Sequence, residues 1–112
     1  MRIYSITLIG CYWHQRSTGN SYTSTAILLN GEHRHTTPAT YGYGNFFFQR
    51  GEEWLLGCGI GDGSRLAEWC ESQDPVCSLY SVSFYVPTEK ELDSFAEGKG
   101  QRVTANRGII NA

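Results

Sequence analysis

Between Arg2 and Trp13 apolar side chains fill both registers of a two-residue period. Tyr4, Ile6 and Leu8 fall on one side of an extended chain, and Ile3, Ile9, Cys11 and Trp13 on the other. Successive side chains of a strand point to opposite faces, so this pattern suits a strand covered on both faces and not one exposed to water on either. The rest of the sequence must therefore supply packing for two sides of the same strand.

The next turns follow from local chemistry. A polar stretch from His14 to Ser21 contains Thr18, Gly19 and Asn20, which tolerate positive φ, and reads as a long hairpin loop into a second strand from Tyr22 to Leu29. Asn30-Gly31 is the dipeptide best suited to a type I′ turn, and Glu32 to Thr37 return as a third strand that Pro38 ends or confines to an edge. Ser78 to Val86, with Tyr80, Val82, Phe84 and Val86 on one face, is the fourth strand. The expected sheet is antiparallel, has about four strands, and is built on an N-terminal three-stranded meander.

Helical spacing appears in three places. Tyr41-Gly42-Tyr43-Gly44 breaks the strand pattern, and Asn45 is placed to cap a helix from Phe46 to Leu56. That helix puts Phe47, Phe48, Gly51, Trp54 and Leu55 on one side and leaves Gln49, Arg50, Glu52 and Glu53 for solvent. Glycine costs a helix interior about 1 kcal/mol relative to alanine, so Gly51 predicts close packing onto the sheet. Ser64 is placed to cap a short helix from Arg65 to Glu71, and Asp74-Pro75 is a turn. Thr88 followed by Glu91 is a capping-box signature for a helix carrying Leu92, Phe95 and Ala96 that Gly98 ends. Two or three helices thus pack on the sheet in an α+β fold, with residues 1–98 as a single domain and 99–112 as a basic, flexible tail.

The chain has 112 residues, of which 40% are apolar, which is enough for one modest core, and its fifteen Phe, Tyr and Trp residues make that core aromatic-rich. No run approaches the roughly 20 apolar residues of a bilayer span, and no basic segment precedes an uninterrupted apolar stretch at the start of the chain. The four cysteines, Cys11, Cys58, Cys70 and Cys77, are then expected as reduced thiols in a cytoplasm. Formal charge is uneven: ten of the eleven carboxylates lie between Glu52 and Glu97, giving +3 for residues 1–50, −8 for 51–97 and +3 for 98–112. Gathered on one face, that acidic stretch would repel phosphate backbones and attract a basic protein surface.

Residues Thr18-Gly19-Asn20-Ser21-Tyr22, Asn30-Gly31, and Tyr41 to Gly44 opening a helix that carries Gln49 give residues 1–56 a resemblance to a group of small bacteriophage- and prophage-encoded proteins. Where that group often has an acidic residue after the second glycine, this chain has Asn45. The resemblance implies a phage or mobile-element origin and an accessory role in which the protein binds a host protein, including components of host defence, in the host cytoplasm.

Candidate functional residues form three sets. For protein binding they are Tyr41 and Tyr43, as rigid glycine-flanked contacts, with the carboxylates Glu52, Glu53, Glu89, Glu91 and Asp93. For nucleic acid they are Arg16, Arg34, Arg102 and Arg107, with Tyr12, Trp13 or Tyr22 as stacking platforms, although the overall acidity opposes salt-sensitive binding. For a small ligand they are Gly57, Cys58, Gly59, Gly61 and Gly63, where alternating glycines before a helix expose backbone N–H groups, with His14, His33 or His35 as conceivable bases for Cys58. That loop lacks a P-loop lysine and follows a helix instead of a strand. Cys11, His14, Cys70 and Cys77 contain only one closely spaced pair, so no metal site is expected. The balance falls on a non-enzymatic binding protein that needs no cofactor and no membrane.

Overall fold

The computed structural model describes residues 2–99. Ser5–Gln15 forms β1, in which every residue from Ile6 to Tyr12 is buried, as the double apolar register requires. Asn20–Leu29 forms β2, Glu32–Thr36 β3, Thr40–Tyr41 β4 and Ser78–Val86 β5. The sheet runs in the order β3-β2-β1-β5, with β4 also paired to β2. The hairpin between β1 and β2 is tighter than the sequence implies. Its ladder runs unbroken from Ile6 opposite Leu29 to Gln15 opposite Asn20, so His14 and Ser21 are strand residues and only Arg16 to Gly19 turn.

The Asn30-Gly31 turn has the paired positive φ values, 53° and 81°, that a type I′ turn demands. Asn30 also does something no local rule predicts. Its side-chain oxygen accepts from the Tyr4 N–H at 2.6 Å and the Ser5 N–H at 3.2 Å, while its Nδ2 donates to the Arg2 carbonyl at 2.8 Å. The turn thereby holds the segment that leads into β1.

The expectation of a wholly antiparallel sheet is corrected. Phe46–Gly57 forms α1 and Leu66–Ser72 forms α2, and together they carry the chain from β4 across one face of the sheet to the far side of β1. β5 then runs parallel to β1, from Ser5 opposite Ser78 to Trp13 opposite Val86, because a helical crossover returns the chain in its original direction. Among the described residues the sheet is mixed, mostly antiparallel, with five strands. A second correction concerns Tyr41, which pairs with Tyr22 as part of β4 and does not break the strand pattern.

β1 divides two cores. Its even-numbered side chains Ile6, Leu8 and Tyr12 meet Ile27 and Leu29 of β2, Phe47 and Leu55 of α1, and Leu66, Cys70 and Cys77. Its odd-numbered Ile9 and Cys11 meet Ala26, Leu28, Phe84 and Val86, closed over by Leu92 and Phe95. Leu92 belongs to α3, Glu89–Ser94, whose N-cap is made as expected by Thr88 accepting from the Glu91 N–H at 3.2 Å. Beyond Ser94 the helix widens into a π turn, Phe95–Lys99, in place of a regular helix up to Gly98. Residues 100–112, with most of the expected basic tail, lie outside the described residues. Tyr80 sits on the α3 side of β5 as read, but is 47% exposed instead of joining the core.

Neither expected cap on the other two helices forms. Asn45 makes no side-chain cap; the Phe47 N–H instead donates to the buried Tyr12 hydroxyl at 3.2 Å, and that hydroxyl donates to the Gly44 carbonyl at 2.5 Å. Ser64 gives way to Glu52, whose Oε2 accepts from the Leu66 N–H at 3.1 Å. In both cases a side chain brought by tertiary packing replaces the local one.

Glycines let α1 lie close. A Cβ at Gly51 would fall 2.8 Å from a Leu8 methyl, as the sequence anticipates, and one on Gly10 of β1 would overlap the Phe47 side chain at its Cβ and ring. Gly10→Ala is expected to destabilise the protein by about 1–3 kcal/mol, the usual cost of overpacking a fitted core. Gly51→Ala costs less, because the Leu8 methyls can turn aside and alanine recovers about 1 kcal/mol of helix propensity. Urea denaturation of the two variants measures the difference.

Candidate functional site

The α3 face of the sheet carries a cross-strand row at the end nearest the β1–β2 hairpin. Trp13 of β1 lies between Val86 of β5 and Tyr22 of β2, and Tyr22 lies opposite Tyr41 of β4. Because directly opposed residues share a face, pairing alone places these side chains in line. The Trp13 and Tyr22 rings stack at 5.8 Å, Tyr22 and Tyr41 meet edge-on at 6.1 Å, and Tyr41 and Tyr43 meet edge-on at 6.1 Å. Burial falls along the row. Trp13 and Tyr22 are half-buried, while Tyr41 and Tyr43 are 54% and 64% exposed.

The flanking glycines explain the chain path. The Gly42 N–H donates to the Ser21 carbonyl at 3.0 Å, a Cβ there would overlap the Phe46 ring, and Gly44 takes a φ of +66°. The path holds Tyr41 and Tyr43 outward at the edge of the sheet, where both rings stand largely exposed. Beside the row lies an open groove of about 330 Å³ lined by Trp13, Gln15, Tyr22, Ala39, Leu92, Glu89 and Asp93. Glu89 and Asp93 are exposed on α3, where negative charge near a helix N-terminus is favourable in its own right.

Of the acidic candidates, Glu89 and Asp93 therefore line the groove beside the aromatic row, Glu91 accepts from the Thr88 hydroxyl at 3.3 Å, and Glu52 and Glu53 stand on α1 across the sheet. The acidic stretch does not form one face. Glu53 pairs with Arg50 at 3.3 Å, and Glu52 is committed to the α2 N-terminus.

The glycine loop lines a second open cleft, of about 300 Å³, with Gln49, Glu52, Glu53 and Leu56. Gly59, Gly61 and Gly63 all take positive φ, and Ile60 fastens the loop by packing on the α1 core and donating its N–H to the Leu55 carbonyl at 2.9 Å. Asp62 accepts from the Ser64 hydroxyl and N–H, which hold its carboxyl below its ordinary pKa. With Glu52 and Asp62 both supplying oxygens here, the loop is set against phosphate. Cys58 is exposed, and the three histidines are engaged elsewhere: His14 with Ser21 at 3.1 Å, His33 with Thr36 at 2.5 Å, and His35 stacked on Trp54 at 4.8 Å.

The other candidate sets are not assembled. Arg16 lies in the β1–β2 turn, while Arg34 lies on β3, paired with Glu32 at 3.5 Å; Arg102 and Arg107 lie outside the described residues. Cys11 is in the α3-side core, whereas Cys70 and Cys77 are in the α1-side core, so the sheet separates them. Among the described residues no helix is long and apolar enough to cross a membrane. No family model, no curated protein and no solved structure matches the chain.

Cys70 and Cys77 are neighbours, joined through the Cys77 N–H to the Cys70 carbonyl at 3.0 Å. Burial first, and then Cys77, push the Cys70 thiol up to about 12, so the reactive thiolate is scarce. At neutral pH iodoacetamide is expected to modify Cys58 and spare Cys70, as read by peptide mass mapping. Since the folded state keeps a proton that an unfolded thiol releases near 9.0, this pair contributes stability that is lost as pH rises from about 9 toward 12.

Proposed function

We propose that the protein acts by binding another protein, through the exposed tyrosine end of the aromatic row and the carboxylates of α3 beside it. The observation that carries this reading is the row itself: four aromatic side chains in contact, the outer two largely exposed and held rigid by glycine turns, next to a groove with an acidic wall. Tyrosines fixed in this way offer large contact area at little cost in side-chain entropy and are common centres of binding energy. The acidic wall favours a partner surface bearing lysine or arginine.

With the resemblance of its N-terminal motifs, the reading extends to a phage or mobile-element accessory protein whose partner is a host protein, with a host defence component as the leading class. Catalysis has less support, because Cys58 has no histidine beside it and the glycine loop is lined with carboxylates. Nucleic acid has less support, because Arg16 and Arg34 are far apart along the sheet and the groove beside the aromatics is acidic.

The test is affinity capture from a nuclease-treated bacterial lysate, comparing the wild-type chain with Tyr41→Ala/Tyr43→Ala and with Glu89→Lys/Asp93→Lys. Both variants should fold, since the altered side chains are largely exposed. The tyrosine variant is expected to weaken partner binding by about 30-fold or more, the scale of two interface anchors. The charge-reversal variant should chiefly slow association and flatten its salt dependence. Retention of the same partner by both variants would contradict the reading.

A further inference from the structure

The two edges of the sheet are built differently. β3 carries Glu32, His33, Arg34 and His35, and its pairing with β2 shifts register between Ile27 and Leu28, a bulge of the kind that blunts an edge. β5, at the opposite edge, has no charged residue, no proline and no register shift over its nine residues. Among the described residues β1 is the only strand paired with it. A long, regular, neutral edge strand is a template for another strand unless something covers it.

The sequence of β5 is close to a palindrome. Ser-Leu-Tyr-Ser-Val-Ser-Phe-Tyr-Val, turned about Val82 and laid antiparallel on itself, sets Leu79 opposite Tyr85, Tyr80 opposite Phe84, Ser81 opposite Ser83, and Val82 opposite its own copy. These pairs share faces and match apolar with apolar or hydroxyl with hydroxyl; the terminal pair, Ser78 opposite Val86, is the one mismatch. The two largest exposed side chains of the strand, Tyr80 at 47% and Tyr85 at 60%, would each gain an apolar neighbour from the second copy. No like charges meet along the seam.

We infer that β5 is a self-association edge, at which two copies of this chain pair antiparallel about Val82 to form one continuous sheet. This surface is distinct from the aromatic row, and pairing here leaves Tyr41 and Tyr43, on the far side of β1 and β2, open to a partner. The chain's own residues 100–112 are the competing occupant. Their starting point does not favour them: the π turn that precedes them packs against β2 and β3, toward the other edge of the sheet.

Sedimentation equilibrium of the full chain at micromolar to high-micromolar concentration tests this with a charge-swap pair. Ser81 and Ser83 are exposed and oppose each other across the seam. The wild type is expected to dimerise, Ser81→Lys/Ser83→Lys and Ser81→Glu/Ser83→Glu to be monomeric alone, and their equimolar mixture to dimerise again. Circular dichroism of each variant shows that it is folded. A wild-type monomer throughout the range, or dimers that survive in both charged variants, would overturn the assignment. So would a monomer that dimerises only after residues 100–112 are removed, which would give the edge to the tail.

Discussion

Tyr12 is buried in the middle of β1, and its hydroxyl bridges the Gly44 carbonyl and the Phe47 N–H. The bond fixes where α1 begins, because the first N–H groups of a helix need partners from outside the helix. The ring is held on both sides, edge-on by Phe47 at 6.2 Å and stacked with Tyr85 of β5 at 5.3 Å. One side chain therefore joins the centre of the sheet, the start of the crossover helix, and the strand to which the crossover leads. Burial raises the phenol above its ordinary pKa, against the Phe47 hydrogen bond that favours the ionised form, so Tyr12 serves as a neutral donor and acceptor.

The opposite face of the same strand organises the candidate site. Alternation along β1 places Tyr12 under α1 and Trp13 on the α3 side, where the ladder extends Trp13 into Tyr22 and Tyr41. The proposed interaction surface is thus a continuation of the sheet's own register. Its inner members, Trp13 and Tyr22, are half-buried and share in the packing that positions its outer ones, Tyr41 and Tyr43, whose rings touch the row yet stand largely exposed. The acidic wall comes from α3, whose start is set by the Thr88 cap just after β5 ends. The acidic half of the site thus depends on β5 lying beside β1, and the aromatic half on the β1–β2–β4 ladder.

What the sequence made legible was local. The span of β5, the type I′ geometry of Asn30-Gly31, the Thr88 cap and the close approach at Gly51 each follow from a few adjacent residues whose period or φ requirement is specific. The direction of β5 was hidden, because a two-residue period identifies a strand without naming its neighbour. The caps of α1 and α2 were misread for a related reason: Asn45 and Ser64 are the right residue types nearby, but Tyr12 and Glu52 reach the same N–H groups from 35 and 14 residues away. For the site, the glycine spacing marked Tyr41 and Tyr43, and hairpin pairing would have added Trp13 and Tyr22. Charge counts marked the carboxylates but could not show that the sheet divides them into two groups.

The most direct measurement of this account is native-state hydrogen exchange on Tyr12→Phe, which removes one hydroxyl and keeps the ring. If the Tyr12 hydroxyl joins α1 to the sheet, the Phe47 amide and the first turn of α1 will lose protection together while the β1–β2 ladder keeps most of its own. Unfolding free energy should fall by about 1–3 kcal/mol, the cost of leaving the buried Phe47 N–H unpaired. Unchanged protection in α1, with stability equal to the wild type, would contradict it.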